Sequence, residues 1–312
     1  MNRIRIYSQF RILNLHNPNN LHNPNMKNSK MKCPICKGKS KEKRLKQFVL
    51  LKCTSCGLEW QKKMPTDSEL DSIYSEYSQS KFDYDRYDFF NAVYKKYISK
   101  LKKASVLDLG CGLGHFLDIL KGKGWDIEGI DMSKSSVKIA KKKLGNKIHL
   151  KSIESFKTSK KYDLILMIDI IEHVRNPDHI MQKVKDLLKK DGLLIINTPN
   201  TSAILAKISG KTWFQYKREH LYYFNSSNIK QFLSKNGFKT IKCDPTIRNI
   251  SFYLVRNYLI YYPKKVIPKI ADFFYKIFGE KLSKKIKIKI PASEIIVIAK
   301  RIENIKKKMV WE

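Results

Sequence analysis

From residue 104 onward the chain alternates two periodicities. Short apolar runs at 106–109, 127–130, 148–150, 162–168, 193–197, 238–243 and 295–299 read as strands, and apolar residues between them recur at helical spacing. Punctuation agrees with that division. A glycine loop precedes a helix over about 114–122, Ser133 caps a basic helix, and Asn176 with Pro177 starts a helix that runs to Lys190 and closes at Asp191-Gly192. Strands alternating with helices imply βαβ units, and right-handed crossovers make them an α/β, Rossmann-like, doubly wound domain on a mainly parallel seven-stranded sheet. Upstream, Tyr87, Phe90, Tyr94, Tyr97, Ile98 and Leu101 share one helical face, which predicts a helix packed on the core or closing over it rather than a base-stacking surface.

The flanks read differently. Residues 1–30 are polar and Asn-rich, with a repeated Leu-His-Asn-Pro-Asn, and predict a disordered leader; Met26 and Met31 are alternative starts, and His16 and His22 have no role beyond a metal-binding tail. Residues 31–64 form a cysteine module, 65–103 a helical linker or lid, 104–300 the α/β domain, and 301–312 a basic tail. Within the domain, 251–290 is an insertion in which apolar residues such as Phe252, Val255, Ile270, Phe273, Phe274 and Ile277 interleave with lysines, the pattern of a membrane-interface helix or of a helical lid.

Composition adds two constraints. At 312 residues and 42% hydrophobic, the chain is neither wholly disordered nor fibrous, and 63 Lys+Arg against 28 Asp+Glu leave a formal charge of +35. That charge directs attention to nucleic acid or an anionic membrane surface, with a compositional preference for lysine as the alternative. Four of the six cysteines, Cys33, Cys36, Cys53 and Cys56, fall as two C-x2-C pairs, the ligand spacing of a closed four-thiolate zinc ribbon, with rubredoxin-like iron as the second choice. Cys111 and Cys243 read as small buried hydrophobes. No secretory h-region opens the chain and no run of eighteen uncharged apolar residues occurs, so the expectation is a reducing cytoplasmic setting, with peripheral attachment to the inner membrane face.

The segment richest in chemistry is Asp108-Leu109-Gly110-Cys111-Gly112-Leu113-Gly114, between a strand and a helix, with Asp131 ending the next strand where a carboxylate can accept ribose hydroxyls. Its spacing is G-x-G-x-G rather than the dinucleotide G-x-G-x-x-G. With Tyr162-Asp163-Leu164-Ile165, Ile171-Glu172-His173-Val174-Arg175-Asn176-Pro177, the block 187–200, Glu219-His220-Leu221-Tyr222-Tyr223-Phe224 and Asn236-Gly237-Phe238, the chain over about 80–300 resembles the class I S-adenosylmethionine-dependent methyltransferases. The preceding cysteine module makes it similar to the ubiquinone-methylase-like branch, many members of which act on sugars or other small metabolites. Asp191 stands where that family usually has proline or glycine.

The resemblance implies a set of roles. Asp108, Gly110, Cys111, Gly112, Gly114, Asp131, Met132, Ser152, Ile153 and Asp169 would surround the cofactor, with Ser152 and Ile153 beside the adenine. His220, His173 and Asp169 would be the catalytic candidates. A divalent metal would sit at Asp169, Glu172 and His173, against the simpler role of fixing the strand-to-helix turn. The acceptor expected is a small molecule, a sugar or a lipid-linked glycan. An RNA methyltransferase is the first alternative, but the fourth strand ends Ile168-Asp169-Ile170-Ile171 rather than in an N-P-P-Y motif. A non-catalytic scaffold is the second, opposed by the intact loop and Asp131. Oligomeric state is not legible.

Overall fold

The computed structural model describes residues 31–66, 68–70, 84–259 and 266–302. The 1–30 leader with His16 and His22, part of the 65–103 linker, residues 260–265 of the insertion and most of the 301–312 tail lie outside these.

The cysteine module folds as three short antiparallel strands, β1 (Ser40–Arg44), β2 (Val49–Cys53) and β3 (Glu59–Gln61). Helix α1 (Tyr84–Val93) follows and runs into a π-turn over Tyr94–Ile98. Its aromatic stripe faces inward: Phe90 stacks on Phe116, ring centroids 4.8 Å apart, and Ile98 is fully buried.

The main domain then alternates: β4 (Ser105–Leu109), α2 (His115–Gly122), β5 (Asp126–Asp131), α3 (Lys134–Leu144), β6 (Ile148–Leu150), β7 (Tyr162–Ile168), α4 (Pro177–Leu187) and β8 (Leu188–Pro199). A short helix α5 (Ile204–Ser209), a two-residue strand β9 (Tyr222–Tyr223) and α6 (Ser226–Lys235) lead to the long antiparallel pair β10 (Phe238–Ser251) and β11 (Lys287–Arg301). Between those two strands stand α7 (Phe252–Leu259) and α8 (Val266–Lys285).

The seven-stranded sheet has the order β10-β11-β8-β7-β4-β5-β6. Strands β4 to β8 are parallel, while β11 lies antiparallel to both β8 and β10. Alternate residues feed opposite faces. Leu107, Leu109, Ile165 and Met167 enter one apolar core, and Val106, Leu164, Leu166 and Ile168 enter the other. Because the chain moves outward from β4 in one direction and returns on the other side with β7, the carboxyl ends of β4 and β7 flank a crevice, the place where such sheets take ligands.

Two boundaries depart from the sequence pattern. Helix α4 stops at Leu187, short of Lys190, because Leu188 already pairs with Tyr162 and is buried; a Cβ on Gly192 would lie 2.7 Å from Leu188 Cγ and 3.0 Å from the Tyr162 carbonyl. Strands β10 and β11 extend well beyond 238–243 and 295–299. Lys287, Ile288, Lys289 and Ile290 alternate exposed and half-buried, so the end of the expected insertion is strand, and α7 and α8 form its tip.

The cysteine module is sewn to the domain. β3 pairs with β9, Glu59 opposite Tyr223 and Trp60 opposite Tyr222, which completes a four-stranded sheet β1-β2-β3-β9. Gln61 Nε2 donates to the carbonyls of Arg218 and His220, and the side-chain amides of Asn225 and Asn228 donate to the Cys56 carbonyl at 3.1 and 3.2 Å. Among the described residues no helix is long and apolar enough to cross a membrane.

Candidate active site

The glycine loop is held from below by β5. The amides of Gly110 and Cys111 both donate to the Ile130 carbonyl at 2.9 Å. Asp131, 3% exposed, accepts from the Gly112 amide through Oδ2 and from the Ser133 amide through Oδ1, each at 2.8 Å. Gly114 caps α2 with φ +75°, and a Cβ there would lie 2.7 Å from Leu144 Cδ1, so only glycine permits both the left-handed cap and the close approach of α3.

Above this loop lies a pocket of about 330 Å³, counting its open mouth. The backbone of residues 110–113 makes its floor, Asp108 and Ile168 its strand-end wall, and Arg86 and Phe90 of α1 the wall opposite, with His115 beside them. Asp108 is buried, and burial, followed by the charge of Asp131 and partly offset by Arg86, pushes its carboxyl up to about 7. Its native-state value thus lies above its unfolded one, so stability is full below about pH 4 and is lost as the pH rises towards 7. Asp108→Asn is expected to remove that slope and to stabilise the ligand-free protein at pH 8 by on the order of 2–4 kcal/mol. Urea unfolding at pH 5 and pH 8 reads this directly, and a wild-type slope that persists in the variant would assign it to another group.

A buried polar cluster, the polar chamber, begins where β7 ends. Asp169 sits at φ +56°, a left-handed conformation that aspartate tolerates better than most residues, with its amide donating to the Asn197 carbonyl at 2.9 Å. Asn197 Nδ2 donates to Asp169 Oδ1 and, at 3.2 Å, to Glu294 Oε2, while Arg86 reaches Asp169 Oδ2 at 3.4 Å. Arg248 holds Glu294 through Nε and Nη2 at 3.1 and 2.6 Å and lies over the Phe89 ring. Arg86 and Asp169 therefore stand between the pocket and the chamber.

Deeper in the chamber are Glu172, His173 and His220, all buried, each able to offer one ligand atom within 4.8 Å of the others. Thr198 Oγ1 donates to Glu172 at 3.0 Å; burial, then the charge of Asp169, pushes the Glu172 carboxyl well above the usual range. His173 Nδ1 faces the Glu219 carbonyl at 3.0 Å, and since a carbonyl only accepts, the ring carries its proton there and its lone pair on Nε2. Burial, then Lys217, lowers His173 to about 3, and burial, then His173, takes His220 well below its ordinary value. Both rings are neutral. They meet edge to face with centroids 4.7 Å apart, and His220 Nδ1 has no protein hydrogen-bond partner among the described residues.

Several sequence expectations need relocation. Asp169, Glu172 and His173 do not share a helical face, because residues 170–173 form a turn closed by the His173 amide on the Ile170 carbonyl. Each Asp169 oxygen accepts one hydrogen bond, from Asn197 and from Arg86, and the side chains close enough to share a metal are Glu172, His173 and His220. His220 itself lies in a packed interior against His173 and Tyr223, not in an open loop. Ser152 hydrogen-bonds within a turn to Ser155, and Ile153 is buried in the core; like Gly114, Asp131 and Asp169, neither these two nor Met132 are among the residues that line the pocket. Arg86, Arg248 and Glu294 carried no motif, and Asn197 stood in the 187–200 block without a role of its own. Only Arg86 left a signal, one helical turn before Phe90 on the stripe of α1.

The cysteines converge. Cys33 and Cys56 sulfurs lie 3.6 Å apart, Cys36 and Cys53 sulfurs 3.4 Å, and all four fall within 4.8 Å, close to the edge of a tetrahedron with metal–sulfur bonds of about 2.3 Å. The amides of Ser55 and Cys56 point at the Cys53 sulfur at 3.4 Å, as donors to a thiolate would.

Comparison with known proteins agrees with this geometry. A family profile described as a methyltransferase domain matches residues 83–242. The ubiquinone biosynthesis O-methyltransferase of Pelagibacter ubique is 40% identical over 105 residues, 32% of this chain and 44% of that one. That of Glaesserella parasuis is 36% identical over 110 residues, 31% and 46%, so this chain spans under half the length of either relative. An uncharacterized protein of Methanocaldococcus jannaschii is 29% identical over 189 residues, 56% and 85%. Among solved structures, the magnesium protoporphyrin IX methyltransferase of Synechocystis with bound SAH aligns at TM-score 0.47 and 16% identity over 75% of this chain and 95% of that one. With the profile covering just over half of its length, the chain belongs to the methyltransferase domain family.

Proposed function

We propose that this chain moves a methyl group from S-adenosylmethionine to an oxygen of a small polar acceptor, of the sugar or lipid-linked glycan class, and that its four cysteines hold a structural zinc. The observation that carries the reading is a pocket over the glycine loop at the carboxyl edge of the sheet, next to a buried cluster of hydrogen-bonding side chains, with Arg86 lining the pocket and reaching Asp169 of the cluster. The residues of the pocket suit the cofactor. A buried Asp108 poised near neutrality gains from a cationic neighbour, and Asp131 holds the loop through the Gly112 and Ser133 amides. When bound, the cofactor supplies an electrophilic methyl on a sulfonium.

The rest falls to positioning. Asn197, Thr198, Gln215 and Glu294 offer a buried hydrogen-bonding wall suited to hydroxyl-rich molecules rather than flat bases. In this reading His220 Nδ1, which has no protein hydrogen-bond partner among the described residues, would accept the hydrogen of an acceptor hydroxyl, with His173 packed against its ring. Relatives named for O-methylation in ubiquinone biosynthesis favour oxygen as the atom methylated. Glu172, His173 and His220 also form a set that would suit a divalent metal.

The test is transfer of labelled methyl from S-adenosylmethionine into a cell extract fractionated into lipid, glycan, RNA and protein. Label in the lipid or glycan fraction is expected; label in RNA would overturn the acceptor class, and absence of both cofactor binding and transfer would overturn the whole reading. His220→Ala is expected to lower kcat by about 100-fold while leaving cofactor affinity within about twofold. An equal loss of cofactor affinity would assign His220 to the fold instead.

A further inference from the structure

Helix α8 presents its apolar residues the wrong way round for a helix packed on a core. Ala271, Tyr275 and Phe278 occupy its inner side, where Phe278 meets Phe252 and Tyr275 meets Tyr253 of α7. Ile270, Phe273, Phe274 and Ile277, at i, i+3, i+4 and i+7, are 52, 61, 43 and 60% exposed. An ordinary surface helix turns such a stripe inward. Beside it stand exposed Lys269 and Lys276, and beyond a kink at Gly279 exposed Lys281, Lys284 and Lys285, while the two acidic residues are engaged, Asp272 by Arg256 at 2.6 Å and Glu280 by Lys284 at 2.5 Å. Over residues 252–290 the sequence holds ten basic residues against two acidic ones.

We infer that α8 docks this protein on an anionic bilayer, lying in the plane of the interface with Ile270, Phe273, Phe274 and Ile277 entering the headgroup–acyl boundary and the lysines meeting lipid phosphates. An apolar stripe rimmed by lysine, on a helix broken at Gly279 and not apolar enough to span, is the pattern of in-plane attachment. A second copy of the chain fits this surface poorly. A two-fold contact sets the same patch on both partners, so the lysines of one would face the lysines of the other, each on a chain of charge +35. The location also matters: α8 grows from the tip of β10 and β11, and those two strands supply Thr246, Arg248 and Glu294 to the polar chamber, so the bilayer would lie on the same ribbon that walls the acceptor site. This placement rests on the α8 surface rather than on the proposed chemistry.

The full chain would be sedimented with phosphatidylcholine vesicles, with and without phosphatidylglycerol, and its cofactor affinity measured in parallel as a check of the fold. Binding at least about tenfold tighter to the vesicles containing phosphatidylglycerol is expected. Phe273→Glu combined with Ile277→Glu, and separately Lys276→Glu combined with Lys281→Glu, should each weaken it by about tenfold or more with cofactor affinity unchanged. Vesicle binding unaltered by both pairs, or no preference for the anionic lipid, would overturn the inference. So would a wild-type dimer in sedimentation velocity that the Phe273/Ile277 pair dissolves, since the stripe would then be covered by a second chain.

Discussion

Asp131→Ala is expected to take S-adenosylmethionine affinity down by at least about 100-fold and to cost the fold about 2–4 kcal/mol. The two effects share a cause. The carboxylate is buried and receives the amides of Gly112 and Ser133, and deleting it strands two donors, each worth about 1–3 kcal/mol when left unsatisfied. One of those amides belongs to the glycine loop, so its geometry loosens at the same moment that the carboxylate proposed to accept the ribose hydroxyls disappears. Asp131→Asn keeps the volume and one acceptor oxygen but offers an NH2 to one of the amides, and should fall between. Calorimetric titration with the cofactor and urea unfolding together check this. A variant that loses stability but binds the cofactor normally would reduce Asp131 to a brace for the loop.

Cys53→Ser should release the metal and unfold the ribbon, yet spare cofactor binding. Closed four-thiolate zinc sites contribute on the order of 10 kcal/mol to the small domains they hold, far more than three short strands retain alone. The damage should travel along one route: loss of β3 unpairs β9 and frees the segment that carries Glu219, His220 and Tyr223. The expected outcome is one zinc per wild-type chain and none in the variant, faster amide exchange across 215–224, and a fall in kcat of about 100-fold or more with cofactor affinity within about threefold. The same affinity in both is expected because the glycine loop is anchored by β5 and α3, on the far side of β4. Full activity in a zinc-free protein would show that β9 stands without the ribbon.

The sequence exposed the frame well because frame and periodicity are the same physics. Val106 to Leu109 and Tyr162 to Ile168 alternate between two buried faces, and no other element could use them so. The cofactor pocket was half legible. Asp108 and the glycines sit in one contiguous loop whose spacing is itself the signal, whereas Arg86 and Phe90 arrive from a helix whose stripe reads equally as plain core. The chamber was the least legible. Glu172 and His173 stood out as a motif, but their third partner comes from His220, and Asn197, Arg248 and Glu294 meet only because β8, β10 and β11 are neighbours in the sheet. An antiparallel last strand inserted between two others cannot be inferred from local pattern. Nor could spacing reveal that β3 would find its fourth neighbour in a two-residue strand.

That last pairing bears on how the molecule comes to be finished. Gln61 and His220 are 159 residues apart in the chain, with the whole parallel sheet formed from what lies between. Contacts of that separation are closed late, after nearer ones have brought the ends together. The segment around His220 is held against the cysteine module by the β3–β9 pairing and by Gln61, so its order is tied to that of the module. If the four cysteines hold zinc as proposed, metal supply would set the proportion of molecules in which the segment around His220 is in place.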